Sequence, residues 1–142
     1  RRVLERRKQI LSTLAEEIDF TWQYYTLQKI RFDDRIELTT AIDPALRNWR
    51  IPSMSLQTLV ENAVKHNSIT GGNPLHIRIR TEGESFLIEN NYTPRSDGDK
   101  ESLGMGLERI RSVYRFYTEE NISISVGEGT FRCRLPLLPP EK

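Results

Sequence analysis

Apolar positions change period several times along the chain, and each change predicts an element. Leu14, Ile18, Trp22 and Tyr25 recur every three or four residues, predicting an amphipathic helix that runs on toward Ile30, with Trp22 as a packing residue. Its start is written just upstream, where Thr13 and Glu16 form a capping box. Asp33 and Asp34 read as a solvated turn rather than a metal site. Residues 35–40 alternate and are β-prone, predicting a strand that Asp43 and Pro44 break. Pro52 with Ser53 or Ser55 offers the start of a second helix, whose stripe is Leu56, Leu59, Val60, Ala63 and Val64. Residues 75–81 and 85–89 read as strands of a hairpin turning at Glu82 and Gly83. His76 alternates with apolar neighbours there, so it faces solvent and receives no function. Residues 90–103 are polar and aperiodic, a surface loop. Gly104, Met105 and Gly106 then open a third helix carrying Leu107, Ile110, Val113, Tyr114 and Tyr117. Residues 122–126 and 130–135 form a closing hairpin about Gly127, Glu128 and Gly129, and prolines follow.

Composition narrows the function more than the fold. The 142 residues are 37% hydrophobic and 29% charged, enough for one domain with a core. A formal net charge of +1 argues against nucleic-acid or polybasic membrane partners. Cys133 is the only cysteine and there are two histidines, so an internal disulfide and a zinc site are not expected. No apolar run approaches membrane-spanning length. The opening RRVLERRK lacks a methionine and is basic and helix-prone. We expect a piece of a longer protein: residues 1–12 the end of a helical linker, 13–138 the domain, 139–142 a tail.

Two stretches carry candidate chemistry. Glu61, Asn62, Lys65, His66 and Asn67 gather polar groups near the end of the second helix, with Asn62 and Lys65 on neighbouring parts of one face. An amide beside an ammonium over an apolar floor suits a metal-bound phosphate, and equally well describes an ordinary charged helix tip. Glycines that open a helix let backbone N–H groups approach a phosphate, which the helix dipole favours. A lone GxG also merely permits a turn.

Taken in order, these segments resemble the ATP-binding catalytic domain of sensor histidine kinases, closest to the LytS-like subgroup, in the superfamily shared with gyrase and MutL. YYTLQKIRFDDRIEL is similar to the family's helix-to-strand passage, IPSMSLQTLVENAVKHN to its N box, LGMGLERIRSVY to its second glycine box and GEGT to its closing hairpin. The resemblance runs from about Leu14 to Pro136 and implies an α+β, two-layer α/β sandwich of Bergerat type. Its sheet is mixed and mostly antiparallel, with helices on one face. It also implies ATP and Mg²⁺ as cofactors. Asn62 matches the Mg²⁺ ligand, Lys65 and the neighbouring His66 the phosphate contacts, and Gly104 and Gly106 the backbone lining the triphosphate. Thr130 matches a hydroxyl in the adenine network. Val60, Ala63, Leu103, Leu107 and Ile110 would wall the adenine, and Glu61 would help orient the receiving histidine.

The departures from the family pattern are specific. Where the first glycine box has an aspartate that accepts from the adenine amino group, this chain has Asn90, and the box glycines are gone. A neutral in place of a charged acceptor costs about 1 kcal/mol, about fivefold to tenfold in affinity. The lid segment is short, Arg109 replaces an asparagine, and Thr58 replaces an N-box proline, a change expected to be harmless. The phosphoacceptor histidine motif is absent. The implied function is therefore to donate the γ-phosphoryl group of ATP to a histidine on an upstream dimerisation segment. A response regulator follows, and the domain lies on the cytoplasmic side of a homodimeric membrane sensor. The alternative is a degenerate interaction module with little nucleotide affinity. A gyrase-like or MutL-like ATPase fits poorly, because Thr58 stands where a hydrolytic base is needed.

Overall fold

The computed structural model describes residues 10–94 and 100–140, and over 100–105 the backbone alone. Two short strands, β1 (Leu11–Thr13) and β3 (Arg50–Pro52), pair antiparallel. The main sheet has the order β2-β4-β5-β7-β6, from β2 (Ile36–Ala41), β4 (Leu75–Glu82), β5 (Ser85–Asn91), β6 (Ser123–Gly127) and β7 (Thr130–Pro136). β2 runs parallel to β4 and the other neighbours are antiparallel. This is the expected mixed, mostly antiparallel α+β sandwich. Ser12 and Leu11 belong to a strand, where the sequence predicts a linker helix; residues 1–9, the rest of that expected linker, lie outside the described residues.

Register explains which sheet face is covered. Ile36, Leu75, Ile77, Ile79, Ile88, Phe131, Cys133 and Leu135 are all buried and lie at paired positions of period two, so they form one apolar face. Glu37, Arg78, Glu89, Arg132 and Arg134 stand on the opposite face. Three helices complete the described residues: α1 (Leu14–Phe32), α2 (Ser55–His66) and α3 (Lys100–Tyr117).

α1 begins on the expected capping box, with Glu16 N donating to Thr13 Oγ1 at 3.2 Å and Thr13 N donating to Glu16 Oε1 at 2.9 Å. Its inner face keeps Leu14, Tyr25 and the partly buried Ile18 of the expected one but adds polar positions and loses Trp22. Leu14, Glu17, Thr21, Tyr25 and Phe32 are buried, whereas Trp22 is exposed, edge-on to Tyr25 at 5.5 Å, and Ile30 is 81% exposed. Two polar residues take inward positions because both are satisfied: Thr21 Oγ1 donates to Glu17 O at 2.8 Å, and the Glu17 side chain serves α2. Counting apolar positions alone misses such a face.

α3 also differs. It starts at Lys100, so Gly104 and Gly106 lie inside it rather than at its opening. Gly106 is needed there for packing: a Cβ on it would stand 2.7 Å from Thr58 Cγ2 and 4.0 Å from Asn62 Nδ2. The strand β5 likewise runs to Asn91, into the expected loop, and residues 95–99 of that loop lie outside the described residues.

Candidate functional site

Helix α2 carries most of the candidate residues, and its placement is set from outside. Its N-cap, Met54, sits in the left-handed region at φ 70° and offers no side-chain cap. Glu17 supplies it instead, its carboxylate accepting from Met54 N at 3.0 Å and Leu56 N at 3.1 Å. An anion at a helix N-terminus satisfies orphan donors and matches the dipole. Burial nonetheless pushes the Glu17 carboxyl above its ordinary range, against the two backbone bonds. Ser55 Oγ donates to Pro52 O at 2.5 Å rather than capping the helix.

On the sheet side of α2 lies a narrow cavity of about 10 Å³, lined by Leu59, Asn62, Ala63, His66, Asn67, Asn90, Tyr92 and Phe131. Asn62, His66 and Asn90 therefore line one cavity. Asn90 is buried at 2% exposure and shares its face with Phe131, and its Nδ2 donates to Asn91 O at 2.9 Å. Asn62 Nδ2 is buried and has no hydrogen-bond partner among the described residues. A buried amide without a partner costs about 1–3 kcal/mol, and such a cost is relieved by a ligand that brings acceptors. Magnesium takes oxygen ligands and keeps waters and phosphate oxygens around it, so a single carboxamide suits it. Among the described residues no group of three or more His, Cys, Asp or Glu gathers to hold a metal by itself. The residues present fit a cation that arrives with a phosphate chain.

Other candidates lie elsewhere. Glu61 and Lys65 line a separate cleft of about 460 Å³ between α1 and α2, with Tyr24, Gln28 and Arg31. Glu61 accepts from Gln57 Nε2 at 2.9 Å. In the same cleft, burial first and then the Glu61 charge push the Tyr24 phenol up, against Arg31. Leu107 and Ile110 are core residues of α3. Leu103 and Gly104 fall in its backbone-only stretch, and the N–H groups without a partner within this helix are those of its first turn at 100–103 rather than those of Gly104 and Gly106. Thr130 is on the sheet face away from the cavity, beside Ser125, Glu128 and Arg132. Its neighbour Phe131 lines the cavity instead, and strand alternation from Phe131 through Cys133 to Leu135 carries that signal in the sequence. Asn67 and Tyr92 are the further lining residues that the sequence reading left without a role.

No protein-family model matches the chain. It is 33% identical over 134 residues to the sensor histidine kinase BtsS of Escherichia coli K12, covering 87% of this chain and 24% of that protein. It is 45% identical over 144 residues to an uncharacterized sensor-like histidine kinase of Staphylococcus epidermidis, covering 88% of this chain and 28% of that one. The chain thus spans about a quarter of the length of these curated relatives. Among solved structures, the nucleotide-free catalytic domain of the histidine kinase ThkA overlays with a TM-score of 0.61 at 18% identity, covering 91% of this chain and 97% of that one. Sequence kinship over most of its length and the shared fold agree: this chain belongs to the sensor histidine kinase family and carries the fold of its catalytic domain.

Proposed function

We propose that this domain binds Mg²⁺-ATP between α2, β5 and the start of α3, and presents the γ-phosphoryl group to a histidine outside the chain. The observation that carries this is the buried, partnerless Nδ2 of Asn62, a donor that a phosphate oxygen would satisfy, at the cavity that also holds His66 and Asn90. Asn62 would hold the cation, which supplies charge neutralisation on the phosphates when bound. Asn90 offers the adenine amino group a neutral acceptor at the cavity floor. Lys65, one turn from Asn62 and exposed, lines the α1–α2 cleft and would have to swing from there to meet the phosphate end. The acceptor imidazole is itself the nucleophile, so the domain's task is positioning and electrostatics. The parent would be a homodimeric sensor at a membrane, with this domain on its cytoplasmic side and a response regulator as the next acceptor. Among the described residues no helix is long and apolar enough to cross a membrane.

The rival is a degenerate module without useful nucleotide affinity. The cavity volume favours it, because about 10 Å³ admits roughly one water, and a nucleotide base enters only if lining side chains such as Tyr92 move away from α2. Calorimetric titration of the chain with an ATP analogue, with and without Mg²⁺, decides between them. Weak to moderate Mg²⁺-dependent binding that Asn62→Ala abolishes supports the kinase reading. A folded protein that binds nothing at millimolar nucleotide supports the module.

A further inference from the structure

We propose that Asn67 is a positioning residue for nucleotide, fixing the cavity wall at Tyr92 through that residue's neighbour Thr93; this rests on the nucleotide reading above. Asn67 follows the last residue of α2 and is 5% exposed. Both ends of its carboxamide are used. Nδ2 donates to Ala63 O at 2.8 Å, closing the helix, and Oδ1 accepts from Thr93 N at 2.6 Å, 26 positions away. Backbone bonds reinforce the second link: Ser68 N donates to Thr93 O at 2.9 Å, and Asn67 bridges Pro94 antiparallel.

Tyr92 is thereby held from two sides. Its N–H donates to Gly129 O at 2.7 Å and its ring leans on Phe131 at 6.4 Å, while Thr93, the next residue, is tied to α2 by Asn67. Residues 92–94 are therefore held beside the cavity that Asn62, His66 and Asn90 line. Asn67 also lines both the narrow cavity and the α1–α2 cleft, so it is the partition between them. Only a carboxamide offers a donor and an acceptor in that geometry. Aspartate keeps the acceptor toward Thr93 and loses the donor toward Ala63; alanine loses both.

That asymmetry supplies the test. Wild type, Asn67→Ala and Asn67→Asp are compared by thermal unfolding, by amide exchange at Thr93 and by calorimetric titration with the Mg²⁺-ATP analogue. Both variants melt lower, because each loses the bond to Ala63 O. Only Asn67→Ala speeds exchange at Thr93, and it weakens binding about tenfold. Asn67→Asp retains the acceptor, so exchange at Thr93 stays at the wild-type rate; its added negative charge acts on the nucleotide phosphates separately, and its affinity approaches wild type as salt rises. Unchanged affinity in Asn67→Ala, or exchange at Thr93 that speeds equally in both variants, would reduce Asn67 to a helix cap and overturn the proposal alone. A wild-type chain that binds no nucleotide overturns the nucleotide reading and this inference together.

Discussion

Glu17 caps Leu56: a carboxylate in the first turns of α1 accepts the backbone N–H of α2 at 3.1 Å, and the same side chain takes Met54 N at 3.0 Å. The helix that carries Asn62 is thus started by a residue 39 positions earlier. Glu17→Ala leaves both donors buried and unpaired and should destabilise the chain by about 2–4 kcal/mol. Glu17→Gln keeps one acceptor and should cost about half as much. Denaturant unfolding of the two variants checks the order. Equal and small losses would mean that water replaces the cap.

The pH dependence of stability follows from two glutamates with opposite signs. Burial raises Glu17 above its ordinary value of 4.5, so the native state binds its proton more tightly than the unfolded chain does. Its contribution is fully present below that value and is lost as pH rises through the native value. Glu89 is also pushed up by burial, but hydrogen bonds and charge from Arg132 and Arg80 outweigh this and hold it below 4.5. Arg132 Nη2 lies 2.8 Å from Glu89 Oε2, and Arg80 bonds the other oxygen. Its contribution is present above 4.5 and is lost as pH falls through its native value. Unfolding curves across the acid range should show Glu17→Gln removing the decline above 4.5, and Glu89→Gln removing the loss below it.

Gly106 of α3 faces Thr58 of α2. Alanine at 106 would gain about 1 kcal/mol of helix propensity, but its Cβ would meet Thr58 Cγ2 at 2.7 Å. Threonine has few rotamers with which to yield, and overpacking costs about 1–3 kcal/mol. Gly106→Ala should therefore be destabilising by about 1 kcal/mol in wild type and stabilising in a Thr58→Ser background, where the methyl is gone. A thermal-unfolding cycle over the four proteins reads the sign change.

Strands were legible because one face alternates cleanly: Leu75, Ile77 and Ile79 of β4 and Phe131, Cys133 and Leu135 of β7, the two strands that flank β5, fall on the same face. The α1 capping box was legible because its two partners are three residues apart. What escaped the sequence were long-range uses of polar side chains. Glu17 and Thr21 are buried and shift the α1 face away from Trp22. Asn67 finds its partner at Thr93, and Gly106 is small because of Thr58. For the site, motif matching brought Asn62, His66 and Asn90 to one cavity, but alternation within β7 turns Thr130 away from it and Phe131 toward it. A residue-type match carries no information on which side of a strand the match falls.

Asn90 is where the chain's own chemistry is most open to test. It stands on β5 opposite Phe131, at the cavity floor, and its Nδ2 is tied to Asn91 O at 2.9 Å. Asn90→Asp replaces that donor with a carboxylate facing a carbonyl, so the nucleotide-free protein should lose about 1–3 kcal/mol of stability. The same carboxylate gives the adenine amino group a charged acceptor, and affinity for the Mg²⁺-ATP analogue should rise about fivefold to tenfold. The gain should vanish with an inosine nucleotide, which lacks the amino donor. Opposite movements of melting temperature and adenine affinity, in one substitution, would assign Asn90 to base recognition. A variant that loses stability without gaining affinity would leave it a strand residue of the core.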